Sequence, residues 1–414
     1  MPGALPDGDP VPAAGTLPDS ALAGLGERPF GLYVHVPFCT TRCGYCDFNT
    51  YTAAELGTGP AATSPGIYPD QVIAEIRFAR RVLAGNEHGV HLPVSTVFFG
   101  GGTPTLLPPS ALGAILRAID GEFGLAPGAE VTTEANPESV DEASLGELRE
   151  QGLTRVSFGM QSAVPAVLAA LDRVHRPGRP AQCAAWARAA GFEHVSLDLI
   201  YGTPGESDAD WRQSLEAAVA AGPDHVSAYA LTVETGTRLA ARIRRGELEA
   251  PDDDVLADRY LAADEILTAA GYGWYEISNW AVSGPSRCAH NMLYWTGGDW
   301  WGIGPGAHSH VGGTRWWNVR HPAAYGARIA TGTSPGQGRE FLSERERQFE
   351  RVMLLIRLAD GCPAAVLGPA GQANAAQVVA DGLADAEALA RGRIVLTRRG
   401  RLLADAVTQK LTEP

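Results

Sequence analysis

From Gly31 onward, short runs of apolar and β-branched residues alternate with longer stretches in which apolar positions return at helical spacing. The strand-like runs lie at 31–37, 94–100, 130–135, 155–161, 195–201 and 225–231. The helical stretches lie at 69–84, 109–123, 141–151, 164–171 with 180–190, 208–221 and 251–270. Strands alternating with helices predict βαβ units and a parallel sheet. Six such units predict an α/β fold of the (β/α)6 partial-barrel kind rather than a full eight-stranded barrel. In parallel barrels, chemistry gathers at the C-terminal ends of the strands.

The flanks break this pattern. Residues 1–28 are Pro, Gly, Ala and Asp without periodicity, which predicts a disordered tail and a barrel domain over 29–335. Within that domain, 272–320 holds seven of the chain's nine tryptophans, with His290, His308 and His310 among glycines, and reads as a loop-rich aromatic segment. A small domain is expected over 340–414. The run 343–358 is an amphipathic helix with Ser343 as its N-cap. Later, 393–397 and 401–403 read as a hairpin before a last helix at 404–411, a winged-helix-like arrangement. Arg391, Arg393, Arg398, Arg399 and Arg401 invite a nucleic-acid reading. From Glu340 on, however, ten basic residues face ten acidic ones, which favours a solvated wing and no nucleic-acid partner.

Composition narrows the class. The 414 residues are 45% hydrophobic and 19% charged, as in a globular protein with a large core. A net charge of −14 argues against a phosphate-backbone partner. Six cysteines in a chain this long are no secreted disulfide framework. No basic segment followed by an apolar one opens the chain, and no apolar run nears the roughly 18–20 residues of a membrane span. The cytoplasm is the expected compartment.

The chemistry concentrates after the first strand. Cys39, Cys43 and Cys46 are spaced CxxxCxxC, and Phe48 stands where a CxC continuation would place a fourth cysteine. Structural zinc and ordinary ferredoxin clusters take four protein ligands. Three thiolates on a cubane leave one iron open; a zinc site completed by His35 or Cys183 is the alternative. Gly100-Gly101-Gly102-Thr103-Pro104 follows the second strand, where glycines let a ligand approach the backbone. Glu134 and Asn136 end the third strand, Gln161 the fourth, Arg173 follows, and Asp198 lies on the fifth. Carboxylate, amide and guanidinium groups on successive strands suit a ligand with ribose hydroxyls and an α-carboxylate. General acid–base work, capping and core networks are the alternatives. Downstream, Cys288-Ala-His290-Asn291-Met-Leu-Tyr294-Trp295 joins two residue types that ligate heme iron to apolar aromatic walls. The plainer reading packs these side chains at the barrel mouth, and His308 and His310 are rival ligands.

Taken together, YVHVPFC, GGGTPT, TEANP, GMQS, DLIYGTPG and HNMLYW resemble the radical S-adenosylmethionine (SAM) superfamily from about Phe30 to the C-terminus. The similarity is to the branch holding oxygen-independent coproporphyrinogen III oxidase and the heme chaperone (HemW) family. The resemblance implies a [4Fe-4S] cluster on Cys39, Cys43 and Cys46. It implies SAM contacts from Tyr33, Tyr45, Gly102, Thr103, Glu134, Gln161, Arg173 and Asp198. It marks Cys288, His290, Asn291, Tyr294 and Trp295 as heme candidates. The oxidase pattern continues CxxxCxxCxC and is preceded by a longer structured region, so Phe48 and the tail point to the chaperone branch. The implied function is heme binding and delivery to apo-hemoproteins such as respiratory cytochromes, with no residue singled out as catalytic. Homodimerisation and peripheral membrane association through recipients are further expectations. The alternatives are coproporphyrinogen III dehydrogenation and a SAM- or redox-sensing nucleic-acid binder.

Overall fold

A computed structural model describes residues 7–56, 64–84 and 91–413. Among them thirteen strands form one mixed sheet. These are β1 (Asp9–Pro10), β2 (Phe30–Val36), β3 (Val94–Gly101), β4 (Leu125–Ala135), β5 (Arg155–Gln161), β6 (His194–Tyr201), β7 (His225–Ala230), β8 (Gly273–Glu276), β9 (Asn279–Ala281), β10 (Asp299–Ile303), β11 (His308–Val311), β12 (Thr314–Asn318) and β13 (Gly336–Phe341). Their order is β1-β13-β12-β11-β10-β2-β3-β4-β5-β6-β7-β9-β8. Neighbours from β2 to β7 are parallel, as the alternation predicts. Helices of the expected extent cross between them, among them Tyr68–Ala84, Pro109–Phe123 and Asp208–Ala220. Asp141 and Ser207 open two of these crossovers with capping boxes.

Three expectations are corrected. Segment 272–320 is not loop-rich: β8 to β12 lie in it, and β10 joins the sheet as a seventh parallel strand beside β2. Six of its seven tryptophans are strand residues, Trp295 being in the helix Ala289–Trp295, and the partner strand of β10 lies about 270 positions upstream, where no local pattern can signal it. Residues 7–28 are not a free tail. β1 pairs with β13, a short helix spans Asp19–Leu22, and Ala21 and Leu25 are buried. Residues 1–6 lie outside the described part. Finally, the 393–403 hairpin does not form. β15 (Arg393–Ile394) pairs instead with β14 (Cys362–Pro363), and Thr397 caps a helix over Arg398–Leu402 through the Gly400 amide.

The C-terminal domain has its own core, including Val352, Ile356, Leu367, Val378, Ile394, Val407 and Leu411. Ser343 opens its first helix with a capping box to Glu346. The arginines of the expected wing are turned to the protein itself. Arg393 donates to the Asp360 and Gly361 carbonyls, Arg398 and Arg401 pair with Asp264, Arg391 pairs with Glu387, and Arg399 donates to the Asp381 carbonyl. Among the described residues no helix is long and apolar enough to cross a membrane.

Candidate functional site

Barrel lumens are usually filled by layers of bulky branched side chains. Here the strand register sets Glu134, Ser157, Ser196 and His225 side by side across β4 to β7, with Gly159, Asp198 and Ser227 in the next row. Small hydroxyls and glycine leave a cavity of about 600 Å³.

The cysteine loop roofs it. Cys39, Cys43 and Cys46 line the cavity half-buried, whereas Cys183 and Cys362 are buried outside it and Cys288 is buried at its floor. Backbone bonds stitch the loop in place: Cys39 NH to the Tyr51 carbonyl (3.0 Å), Tyr51 NH to Pro37 (2.7 Å) and Leu239 NH to Gly44 (2.8 Å). The glycine turn braces it from β3, with Gly102 NH donating to Val36 (2.8 Å) and Thr103 NH to Phe38 (2.7 Å). A Cβ on Gly102 would lie 2.4 Å from the Phe38 carbonyl oxygen, so only glycine fits. The Thr103 hydroxyl lies 3.9 Å from Cys39 Sγ, and Arg173 Nη1 lies 3.6 Å from Cys43 Sγ. Burial pushes the Cys46 thiol up to about 12, a cost that iron would remove by taking the thiolate.

Neither side chain named for completing a zinc site is available. His35 Nε2 donates to the Asn49 carbonyl (2.9 Å), so its Nδ1 accepts from the Tyr33 hydroxyl (3.0 Å). Cys183 is buried in the helix Arg179–Ala189 against the Pro137 carbonyl.

All eight SAM candidates line the cavity. Burial, then the charge of Asp198, pushes the Glu134 carboxyl up to about 7; its Oε2 accepts from Gly101 NH at 3.0 Å. Asp198 is also raised by burial, although Ser157 donates to it at 2.8 Å. Two desolvated carboxyls facing one space call for a cationic ligand. Arg173 donates to the Gly159 carbonyl (2.7 Å) and keeps a buried, unpartnered Nε, suited to a carboxylate. SAM carries ammonium, sulfonium and carboxylate groups, and the three half-buried thiols beside it suit an iron–sulfur cluster. Gln161 ends β5 at φ 62°, a strained conformation typical of functional sites.

The heme candidates form the floor, not the mouth. The helix Ala289–Trp295, with the turn that leads into it, lies against Gly31, Thr96, Glu130 and Arg155, toward the N-terminal ends of β2 to β5. His290 Nδ1 meets Thr96 Oγ1 (2.8 Å), and its Nε2 meets the Tyr294 hydroxyl (2.7 Å). The ring stacks on Phe98 at 5.2 Å, and Tyr33 lies 6.4 Å away. Burial lowers His290 to about 4, leaving it neutral. Cys288, His290, Asn291 and Tyr294 line the cavity, whereas Trp295 does not. His308 and His310 lie outside as well: His308 stacks on Trp317, and His310 bonds the Gly298 carbonyl and Gly313 NH. Sequence reading missed Arg155, His225, Tyr229 and Asn279, which also line the cavity, and Glu130, which accepts the His290 amide from behind it. The recurrence of serine and threonine at alternate positions of successive strands was the signal that the lumen is open.

A radical SAM superfamily model matches residues 33–218. The heme chaperone HemW of Mycobacterium tuberculosis is 54% identical over 391 residues, covering 94% of this chain and 96% of its own. HemW of Escherichia coli is 34% identical over 345 residues, covering 81% and 84%. Among solved structures, E. coli coproporphyrinogen III oxidase (HemN), described as a radical SAM enzyme, superposes with a TM-score of 0.76 at 23% identity, covering 95% of this chain and 92% of that one, a likeness of fold. With its barrel, its three-cysteine loop and its near full-length match to these relatives, the chain belongs to the HemW heme chaperone family of the radical SAM superfamily, which implies a [4Fe-4S] cluster and SAM as its cofactors.

Proposed function

We propose that the protein binds heme and delivers it to apo-hemoproteins, respiratory cytochromes among them, in the cytoplasm. The observation that carries this reading is the 54% identity to a HemW along nearly the whole chain. Two features support it: Phe48, 58% exposed on the cavity rim, replaces the fourth cysteine, and the HNMLYW helix closes the cavity that the cysteine loop roofs. In this reading Cys39, Cys43 and Cys46 hold the cluster. Glu134 and Asp198 take the cationic groups of SAM, Arg173 its carboxylate, and Tyr33, Tyr45, Gly102, Thr103 and Gln161 complete the pocket. The cluster supplies an open iron for SAM. The protein's part is to exclude water and to fix these groups before the ligand arrives.

His290 is the heme ligand in this proposal, with Cys288 as the buried alternative. Both ring nitrogens of His290 are engaged, so ligation requires Tyr294 to release Nε2. Removing that competitor should help. Tyr294→Phe is expected to tighten heme binding roughly fivefold, the value of one net hydrogen bond of about 1 kcal/mol. His290→Ala is expected to abolish the ligated absorption band in a heme titration. A band unchanged in both His290→Ala and Cys288→Ala would remove this assignment.

A second reading is coproporphyrinogen III dehydrogenation, favoured by the fold likeness to HemN. Conversion of that substrate to protoporphyrinogen by the anaerobically reconstituted protein would establish it; heme binding without conversion supports the chaperone.

A further inference from the structure

Between the end of β9 at Ala281 and the start of the helix at Ala289, the chain turns through the lumen floor, burying Ser286 and Cys288. Two side chains from the barrel strands fix this turn. Glu130 Oε1, on β4, accepts the His290 amide at 3.0 Å and lies 3.5 Å from the Cys288 thiol, at the N-terminus of the His290 helix. Glu130 Oε2 takes Arg155 Nε at 2.8 Å. Arg155, the first residue of β5, sends Nη2 to the Ser286 carbonyl (2.8 Å) and the Arg287 carbonyl (3.0 Å), and Nη1 to Ser196 Oγ (3.2 Å). The pair is buried, with side-chain exposures of 1% for Arg155 and 9% for Glu130. In the register Glu130 sits opposite Thr96, whose hydroxyl holds the His290 ring. Backbone and imidazole of His290 are thus gripped from neighbouring strands.

A buried ion pair is a poor source of stability compared with apolar packing. A floor built only to close the barrel needs neither charge. Here both charges are directed at the backbone of one short segment, the one that carries the lumen-facing groups. We propose that Glu130 and Arg155 are positioning residues that lock the Ser286–His290 turn and so set which faces of Cys288, His290 and Tyr294 meet the lumen. What this implies for heme rests on the chaperone reading; the lock itself does not.

Hydrogen exchange read by mass spectrometry on the purified full chain tests it. In Glu130→Ala, peptides covering 286–295 are expected to exchange at least about tenfold faster, with β6 and β7 peptides unchanged. In the same variant, the heme-titrated absorption band should change as it does in His290→Ala. Unchanged exchange at 286–295, or equal acceleration of every barrel strand, would overturn the proposal, the latter meaning a plain structural staple. If Glu130→Ala does not fold, the charge-neutral double variant Glu130→Gln with Arg155→Gln decides by the same two readouts. Wild-type protein that binds no heme would remove the heme reading, while selective exchange at 286–295 would still stand for the lock.

Discussion

Glu75 shows how a single buried carboxyl organises the barrel's outer edge. It is fully buried and accepts from Tyr325 Oη (2.6 Å), Gly304 NH (2.7 Å) and Asn318 Nδ2 (2.8 Å), tying the helix Tyr68–Ala84 to the β10 and β12 ends. Burial nonetheless outweighs these three bonds and pushes it up to about 7 from 4.5. The folded state therefore holds its proton where the unfolded chain has released it. This group's contribution to stability is present at or below about pH 4.5, falls as pH rises to about 7, and is flat above. Glu75→Gln lacks that slope. Relative to wild type, the variant should gain stability between pH 5 and 8, by up to about 3 kcal/mol, in urea unfolding at the two pH values. An unchanged difference would mean that the carboxyl stays ionised throughout.

At the scale of the element, the glycine turn and the cysteine loop fold as one unit, because the Gly102 and Thr103 amides are bonded to Val36 and Phe38 just before Cys39. Gly102→Ala forces its Cβ against the Phe38 carbonyl. We expect a loss of about 1–3 kcal/mol and, more tellingly, less iron retained after anaerobic reconstitution, read by metal analysis. Full iron content would separate the turn from the cluster site. This unit was legible in the sequence, since its residues are contiguous and each strand announces itself by a buried run, such as FGLYVHV in β2. The strands β3 to β7 and their helices were legible for the same reason. What escaped was set by distant partners. β10 is defined by β2, β1 by β13, and β15 by β14 rather than by a neighbouring hairpin strand. The place of HNMLYW toward the N-terminal ends of β2 to β5 escaped likewise, because it depends on Glu130 and Arg155 more than 130 residues upstream. Trp295 shares its motif with His290 but, on the other side of a short helix, leaves the lumen.

At the scale of the molecule, the C-terminal domain leans on the strand that supports the floor. Arg401 enters between Trp274, 4.4 Å from its ring centroid, and Tyr260, and makes a two-pronged pair with Asp264 at 2.8 and 2.9 Å. Asp264 also holds Trp280 Nε1 (3.1 Å) and Arg398 (2.7 Å). Beside this anchor, Ala359 NH bonds the Tyr275 carbonyl (2.8 Å), Leu358 bridges to Glu276, and Arg287 pairs with Asp360 (3.0 Å). Tyr275 and Glu276 of β8 face the other way into the floor: the Tyr275 hydroxyl meets His225 Nε2 (2.8 Å), and Glu276 accepts from Asn291 (2.8 Å). One strand is thus gripped on its outer side by the small domain and grips the heme-candidate helix on its inner side. Removing Arg401 leaves Asp264 buried with its strongest partner gone, which costs about 3 kcal/mol when a buried pair is broken. Arg401→Ala should therefore split a single calorimetric unfolding transition into two and expose the 340–414 segment to limited proteolysis. Because β8 joins both contacts, amide exchange at 286–295 should rise in the same variant, though less than in Glu130→Ala. Proteolytic release of the small domain with no change at 286–295 would show that β8 is held by the barrel alone and that the two domains are mechanically independent.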